Sequence, residues 1–260
     1  MIKKLDKPDY SLPKVYCPIS LLECSGKLLK KVIAKWFNWE IEHHHLIPMT
    51  QFGSCPHHNV VNTVATLVHY VQVTRAMGTT EALLLFDISG FFNNINPAYT
   101  THTLCNMGFP PNICDWTHSF LIGHTASLNF ESYTTDPFSI TNGIPQGSPL
   151  LPVLLALYTA LLLELSRSWS FCDLTLYIDD RAIYATSATT SKATKMALQH
   201  FTLMYDWLTA NGLKADPLKM ELMSFTKEHP NHNLIGGKIE GTWYTNPTQG
   251  SNCVTTVTSL

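Results

Sequence analysis

Two aspartates stand side by side in LYIDDRAIY, residues 176–184, inside an otherwise largely apolar run. Adjacent carboxylates repel and strands disfavour Asp, so Asp179 and Asp180 need a reason to be there. The wider stretch CDLTLYIDDRAIYAT reads as strand, turn, strand with the acids at the bend, where Asp is welcome. Alternation puts Thr175, Tyr177 and Asp179 on one side of the first strand, and Leu174, Leu176 and Ile178 on the other. A surface turn alone would account for this. A further acid changes the balance: Asp87 closes the apolar run ALLLFD, where a lone carboxylate is costly. Three acids at the ends of neighbouring strands can share divalent cations, which relieves both repulsion and desolvation. Two Mg2+ ions roughly 4 Å apart can activate a hydroxyl and stabilise a leaving phosphate oxygen in an in-line displacement. Between the two sites in sequence lies TNGIPQGSPLLP, residues 141–152, a Gly-Pro loop that opens a long apolar helix. Gln146, Gly147 and Ser148 would there present backbone to a bound ligand.

The elements that must position these residues alternate along the chain. PISLLECSGKLLKKVIAKWF predicts a helix with Leu28, Leu29, Val32, Ile33, Trp36 and Phe37 on one face and Lys27, Lys30, Lys31 and Lys35 largely on the other, a solvated face on the plainest reading. A second helix follows, with Val60, Val64, Leu67, Val68 and Val71 facing the core and Gly78 as its stop. ALLLFDIS is too short for a typical helix and reads as a buried strand. Asn96-Pro97 starts a further helix that Gly108 can end. SKATKMALQHFTLMYDWLTANG is a helix with Ala193, Ala197, Met204, Trp207 and Leu208 as core candidates and Gly212 as its stop. Beyond about residue 228 the periodicity fades, and loop is expected.

Composition narrows the class. A chain of 260 residues holds one large domain or two smaller ones. A net charge of -2 suggests no extended basic tail and argues mildly against tight nucleic-acid binding, although acids elsewhere can balance a basic groove. The seven cysteines are odd in number, scattered and without a CxxC, which reads as reduced thiols of an intracellular protein, in cytoplasm or nucleus. The charged start MIKKLDKPDY is no secretory signal. The apolar stretch Leu150 to Leu165 falls short of the roughly 20 residues that span a bilayer, so a buried helix and no membrane association are expected.

Four segments in order, LLLFDISGFFNNI, NGIPQGSPLLPVL, LYIDDRAIY and NGLKADPLKMELM, resemble the reverse transcriptase domain of non-LTR (LINE-like) retrotransposons. Upstream, KPDYSLPKVYCPISLLECSGKLLKKVIA and LIPMTQFGSCPHH resemble the same family's finger segments, so the resemblance covers about residues 5 to 226. It implies an α/β (α+β) right-hand polymerase with fingers and palm around an antiparallel palm sheet. Fingers would fall at residues 1–80, with part of 117–145 returning to them; the palm at 81–228; an irregular tail at 229–260. The implied activity is RNA-directed DNA polymerisation for a mobile element, by two-metal transfer of dNTPs to a primer 3′-OH. Asp87 and Asp179 would be the main ligands of two Mg2+ (or Mn2+) ions, with Asp180 as third carboxylate. Phe92 matches the aromatic that packs under the sugar and excludes a 2′-OH. Gln146 and Gly147 would line the nucleotide pocket and template, beside Pro145 and Ser148, and Tyr177 would contact the primer end. Lys219 matches a lysine that approaches the leaving pyrophosphate, with a plain surface lysine as the alternative, and Lys14 is a candidate triphosphate contact. The implied partners are an RNA template, a DNA primer and dNTPs, with no stable protein partner.

The departures point to a partial, mutated copy. The family's Y-R-P-I-S is YCPIS here, and its Q-F-G-x-R-P is QFGSCPHH, so Cys17 and Cys55 stand where arginines are expected. Relatives also tend to carry arginine near Trp36, Cys105 and His124. Cys, His and Trp are what arginine codons yield when a CG dinucleotide decays by transition. Loss of arginine at position 17 would remove a charge-assisted bidentate contact that cysteine cannot replace. No endonuclease is expected ahead of Lys14, and a thumb is expected to be absent or rudimentary. An inactive remnant, nucleic-acid binding or without function, therefore stands as the alternative. A metal site from His43, His44, His45, Cys55, His57 and His58 fits no common zinc spacing. An RNA-templated RNA polymerase shares the metal logic, but Phe92 and the YxDD form argue against it.

Overall fold

The computed structural model describes residues 2–6, 8–12, 15–17, 19–53, 58–178, 180–225, 238–239, 242–243 and 254–256. In chain order the elements are β1 (Ile2–Lys3), β2 (Tyr16–Cys17), α1 (Cys24–His43), α2 (Val60–Ala76), β3 (Thr80–Asp87), α3 (Phe91–Asn94), α4 (Pro97–Asn106), α5 (Pro111–Leu121) and β4 (His124–Ala126). They continue with β5 (Asn129–Phe130), β6 (Tyr133–Thr134), β7 (Phe138–Ile140), α6 (Leu151–Ser166), β8 (Cys172–Tyr177), β9 (Asp180–Ser187) and α7 (Thr190–Ala210). A short 3-10 turn (Pro217–Lys219), β10 (Glu221–Phe225), β11 (Lys238–Ile239), β12 (Thr242–Trp243) and β13 (Val254–Thr256) complete the chain. The last three strands lie in the stretch expected to be irregular. Two compact units result, Met1–His44 with Gly90–Tyr158 and His45–Ser89 with Thr159–Leu260.

The second unit is built on one antiparallel five-stranded sheet, ordered β13-β10-β3-β9-β8. The apolar run of β3 is continuous because helices cover both of its faces. Phe86 meets Phe201 of α7 with ring centroids 5.0 Å apart, and Ala193, Ala197, Phe201, Met204 and Leu208 are buried along that helix. On the opposite face Leu83, Ala182 and Tyr184 pack against Leu67 and Tyr70 of α2. α2 turns a different face inward from the one its valines predict: Val60, Val64 and Val68 are exposed and Thr74 is buried. The sheet face beneath it is partly polar, and this selects the inward residues. Tyr70 Oη donates to Asp173 Oδ2, and Thr74 Oγ1 donates to Glu81 Oε2 at 3.2 Å. Tyr70 also stacks on Tyr184, whose hydroxyl accepts from Thr175.

Helix limits follow local chemistry. Asn59, Asn96 and Thr189 cap α2, α4 and α7 through their side chains. Gly78, Gly108 and Gly212 follow those helices with positive φ, as expected.

In the first unit the stripe of α1 that is buried is Ala34, Phe37 and Ile41, while Leu28, Leu29 and Val32 are exposed. Aromatic contacts set this rotation. Phe37 and Trp36 meet Phe109 at 5.1 and 6.0 Å, and Lys30 lays its ammonium 5.0 Å from the Phe120 ring centre. Nearly all of α6 from Val153 to Leu163 is buried, as its composition predicts. Among the described residues no helix is long and apolar enough to cross a membrane.

Candidate active site

Asp87 ends β3 and Asp180 begins β9, and the two are paired directly across the strands. Tyr177, the last residue of β8, is the partner of Asp180 on its other side. Register partners share a face, so Asp87, Asp180 and Tyr177 form one row at one end of the sheet, on the side that α2 covers farther along. The Asp87 side chain is 16 % exposed, and Asp180 is exposed. Like charges directly opposed destabilise a strand pair, so this end of the sheet calls for a cation.

A lysine supplies one here. Ser89 N–H donates to Lys214 C=O at 2.8 Å, Ile88 bridges Ala215, and Asp216 N–H donates to Asp87 C=O at 2.9 Å. This pairing lays the NGLKADPLK segment along the end of β3 and sets Lys219 in an ion pair with Asp87, Nζ donating to Oδ2.

Asp179 falls outside the described residues, so its place relative to Asp87 is not part of this geometry; Lys14 and Cys55 lie outside them as well. Tyr177 pairs with Asp180, so Ile178 opens the tight hairpin turn that follows β8. Such loops take positive φ at their first position and usually place Gly, Asn or Asp there. Ile178 occupies it at φ +57°, a strained conformation for a β-branched residue.

Of the predicted nucleotide-side residues, Phe92, Pro145, Gln146, Gly147 and Ser148 belong to the other unit, whereas Lys219 belongs to the unit of Asp87. Ile144 N–H donates to Phe92 C=O at 2.9 Å, and Gly143 N–H to Ile95 C=O at 2.8 Å. A Cβ on Gly143 would meet Phe92 O at 2.8 Å, so only glycine lets this loop lie so close to α3. Phe92, Pro145 and Gln146 are half-buried, Gly147 is exposed and Ser148 is buried. Ser20 N–H donates to Gln146 C=O at 2.9 Å, which ties the PIS segment to the same loop.

Sequence reasoning missed two features. One is the buried polar cluster under α2, where burial raises the pKa of Glu81 to about 7 and that of the Tyr70 hydroxyl well above its usual range. The other is the backbone pairing of Gln51 with Leu176 at the edge of the sheet. Neither leaves a local pattern, because each joins residues far apart in the chain.

The donor set fits a hard divalent cation. Asp87 and Asp180 offer carboxylate oxygens in register, and Lys219 already shows that Asp87 accepts a positive charge at that place. Among the described residues no group of three or more His, Cys, Asp or Glu side chains is arranged to hold a metal ion.

Comparison with known proteins gives the family and the fold. The family model "Reverse transcriptase (RNA-dependent DNA polymerase)" matches residues 2–248. The chain is 26% identical, over 96% of its length, to the probable RNA-directed DNA polymerase from transposon BS of Drosophila melanogaster, and spans 28% of that protein. It is 23% identical, over 81% of its length, to the RNA-directed DNA polymerase from mobile element jockey of Drosophila funebris, of which it spans 23%. Among solved structures it is similar to apo telomerase from Candida tropicalis truncated from its C-terminal domain, with a TM-score of 0.57 at 13% identity, over 85% of this chain and 44% of that one. Telomerase from Candida albicans in complex with a TWJ fragment of telomeric RNA gives a TM-score of 0.55 at 9% identity, over 84% and 37%. The structures share the fold, as the α/β architecture and antiparallel sheet require. A family model that covers most of the chain carries the assignment: the chain belongs to the reverse transcriptase family.

Proposed function

We propose that this chain is the polymerase part of a mobile-element reverse transcriptase, adding dNTPs to a DNA primer on an RNA template. The observation that carries the reading is the register pairing of Asp87 with Asp180 at one end of the sheet, with Lys219 beside them. Reverse transcriptases use divalent metal ions; here Asp87 and Asp179, with Asp180 as the third carboxylate, would hold two Mg2+ or Mn2+. Bound there, the ions would lower the pKa of the primer 3′-OH and offset the charge on the leaving oxygen. Lys219 would turn its ammonium from Asp87 toward the departing pyrophosphate, where a positive charge stabilises the group as it leaves. Tyr177 would support the primer end. In the other unit, Phe92 would exclude a 2′-OH, while Gln146, Gly147, Pro145 and Ser148 would present the loop to nucleotide and template. Lys14 would add a triphosphate contact.

Primer extension on an RNA template with Mg2+ or Mn2+ tests this, with Asp87→Asn as control. Extension by the parent and its loss in Asp87→Asn are expected. No extension by the parent overturns the proposal in favour of an inactive remnant, and equal extension by both overturns the carboxylate site that carries it.

A further inference from the structure

We propose that Thr50–Gly53 braces the end of β8 and the Ile178 that follows it, and that Gly53 is a positioning residue for the Asp180 carboxylate. The inference rests on the polymerase reading above. β8 is an edge strand, and edges need cover. Leu176 N–H donates to Thr50 C=O at 3.0 Å, and Phe52 N–H donates to Leu176 C=O at 2.8 Å. These two bonds form a parallel bridge between Gln51 and Leu176, a residue that sits three positions before Asp179. Gln51 is 1 % exposed, so the bridge is sealed from water and its bonds are not traded for solvent.

Gly53 then brings the brace against the turn itself. A Cβ there would lie 2.2 Å from Ile178 N, 2.7 Å from Ile178 Cγ1 and 2.9 Å from Tyr177 C. Two of those three atoms are backbone, so no rotamer change makes room. Either the brace or the hairpin tip must move. The residue it presses is Ile178, already held at φ +57°. Strained residues of this kind persist only where their surroundings over-determine them. Gly53 and the Leu176 bridge supply that constraint from outside the hairpin, just ahead of the two acids. Tyr177 and Asp180 are register partners, so a shift at Tyr177–Ile178 is passed to Asp180 and alters its distance to Asp87. A misplacement of about 1 Å at reacting groups can cost on the order of a hundredfold in rate.

The experiment compares the full chain with Gly53→Ala, using three measurements. Gly26→Ala in α1, where nothing lies within 4 Å of the added Cβ, is the matched control. Hydrogen exchange reads the Leu176 and Phe52 amides, Mn2+ titration by electron paramagnetic resonance reads the carboxylate site, and primer extension reads kcat and KM. For Gly53→Ala the expectation is loss of protection at those two amides and Mn2+ binding weakened about tenfold. A kcat down roughly ten- to a hundredfold with KM for dNTP nearly unchanged completes the pattern. If circular dichroism shows that Gly53→Ala does not fold, Phe52→Pro replaces it, since it removes one bridging N–H from an extended segment and adds nothing at position 53. Parental Mn2+ affinity and kcat in the folded variant overturn the brace, whether or not the amides lose protection. A parent whose Mn2+ binding is indifferent to Asp87→Asn instead fails the polymerase reading, and the positioning role falls with it.

Discussion

Asp87 and Asp180 face each other across the β3–β9 ladder, the last residue of one strand against the first of the next. Opposed like charges cost stability, on the order of 0.2–1 kcal/mol. Asp180→Asn should therefore unfold at slightly higher urea than the parent while losing primer extension. Mg2+ should raise the melting temperature of the parent and leave that of the variant nearly unchanged, because only a site that binds the folded state stabilises it. Equal Mg2+ shifts in a thermal melt would show that Asp180 takes no part in metal binding.

The Lys219–Asp87 ion pair competes with any metal for Oδ2. A pair whose lysine stands in solvent, as here, is worth about 0–1 kcal/mol. Lys219→Met should thus tighten Mn2+ binding by up to roughly fivefold, yet lower kcat by removing the cation from the leaving group. Titration of Mn2+ together with single-turnover extension separates the two effects. Weaker Mn2+ binding in the variant would contradict the competition.

Phe92→Val should admit ribonucleotides by removing the steric block at the sugar. The ratio of kcat/KM for dNTP and rNTP on one template measures this. Unchanged discrimination would show that Phe92 is not the gate.

Cys17 lies in β2, at the position where the resemblance leads one to expect arginine. Cys17→Arg should restore a charged hydrogen bond worth roughly 1.5–3 kcal/mol, or about ten- to a hundredfold in kcat/KM for dNTP. Equal activity of parent and variant would mean that position 17 makes no such contact.

Glu81 is fully buried, and its Oε1 has no hydrogen-bond partner among the described residues. Burial raises its folded pKa to about 7 from 4.5, so between those values the folded chain binds more protons than the unfolded one. Stability should fall as pH rises through that window and level off above it. Glu81→Gln should remove this slope and stabilise the chain at pH 8, on the order of 1–3 kcal/mol. Urea unfolding at several pH values checks both.

The ends of the central strands were legible because an apolar run that stops at Asp87 leaves a carboxylate needing company. Helix limits were legible for a similar local reason: Asn59, Asn96, Gly78 and Gly212 act within a few residues of themselves. Burial faces were not. Leu28, Leu29 and Val32 satisfy the helical period as well as Ala34, Phe37 and Ile41 do, and only the distant Phe109 and Phe120 decide between them. The polar lining under α2 escaped for the same reason, since Tyr70 meets Asp173 across 103 residues. Gly53 resembles any loop glycine until Ile178 is beside it.

The pairing of β3 with β9 also sets the order in which the chain can be finished. Thr80 joins Ser187 across 107 residues, and Asp87 meets Lys219 across 132. At synthesis rates of about 5–20 residues per second, the apolar β3 emerges roughly 5–20 seconds before its central partner exists. Loops this long close slowly, and an unpaired strand edge meanwhile invites foreign partners. Yield on expression should thus respond to growth temperature and chaperone supply before it responds to any change at the carboxylates.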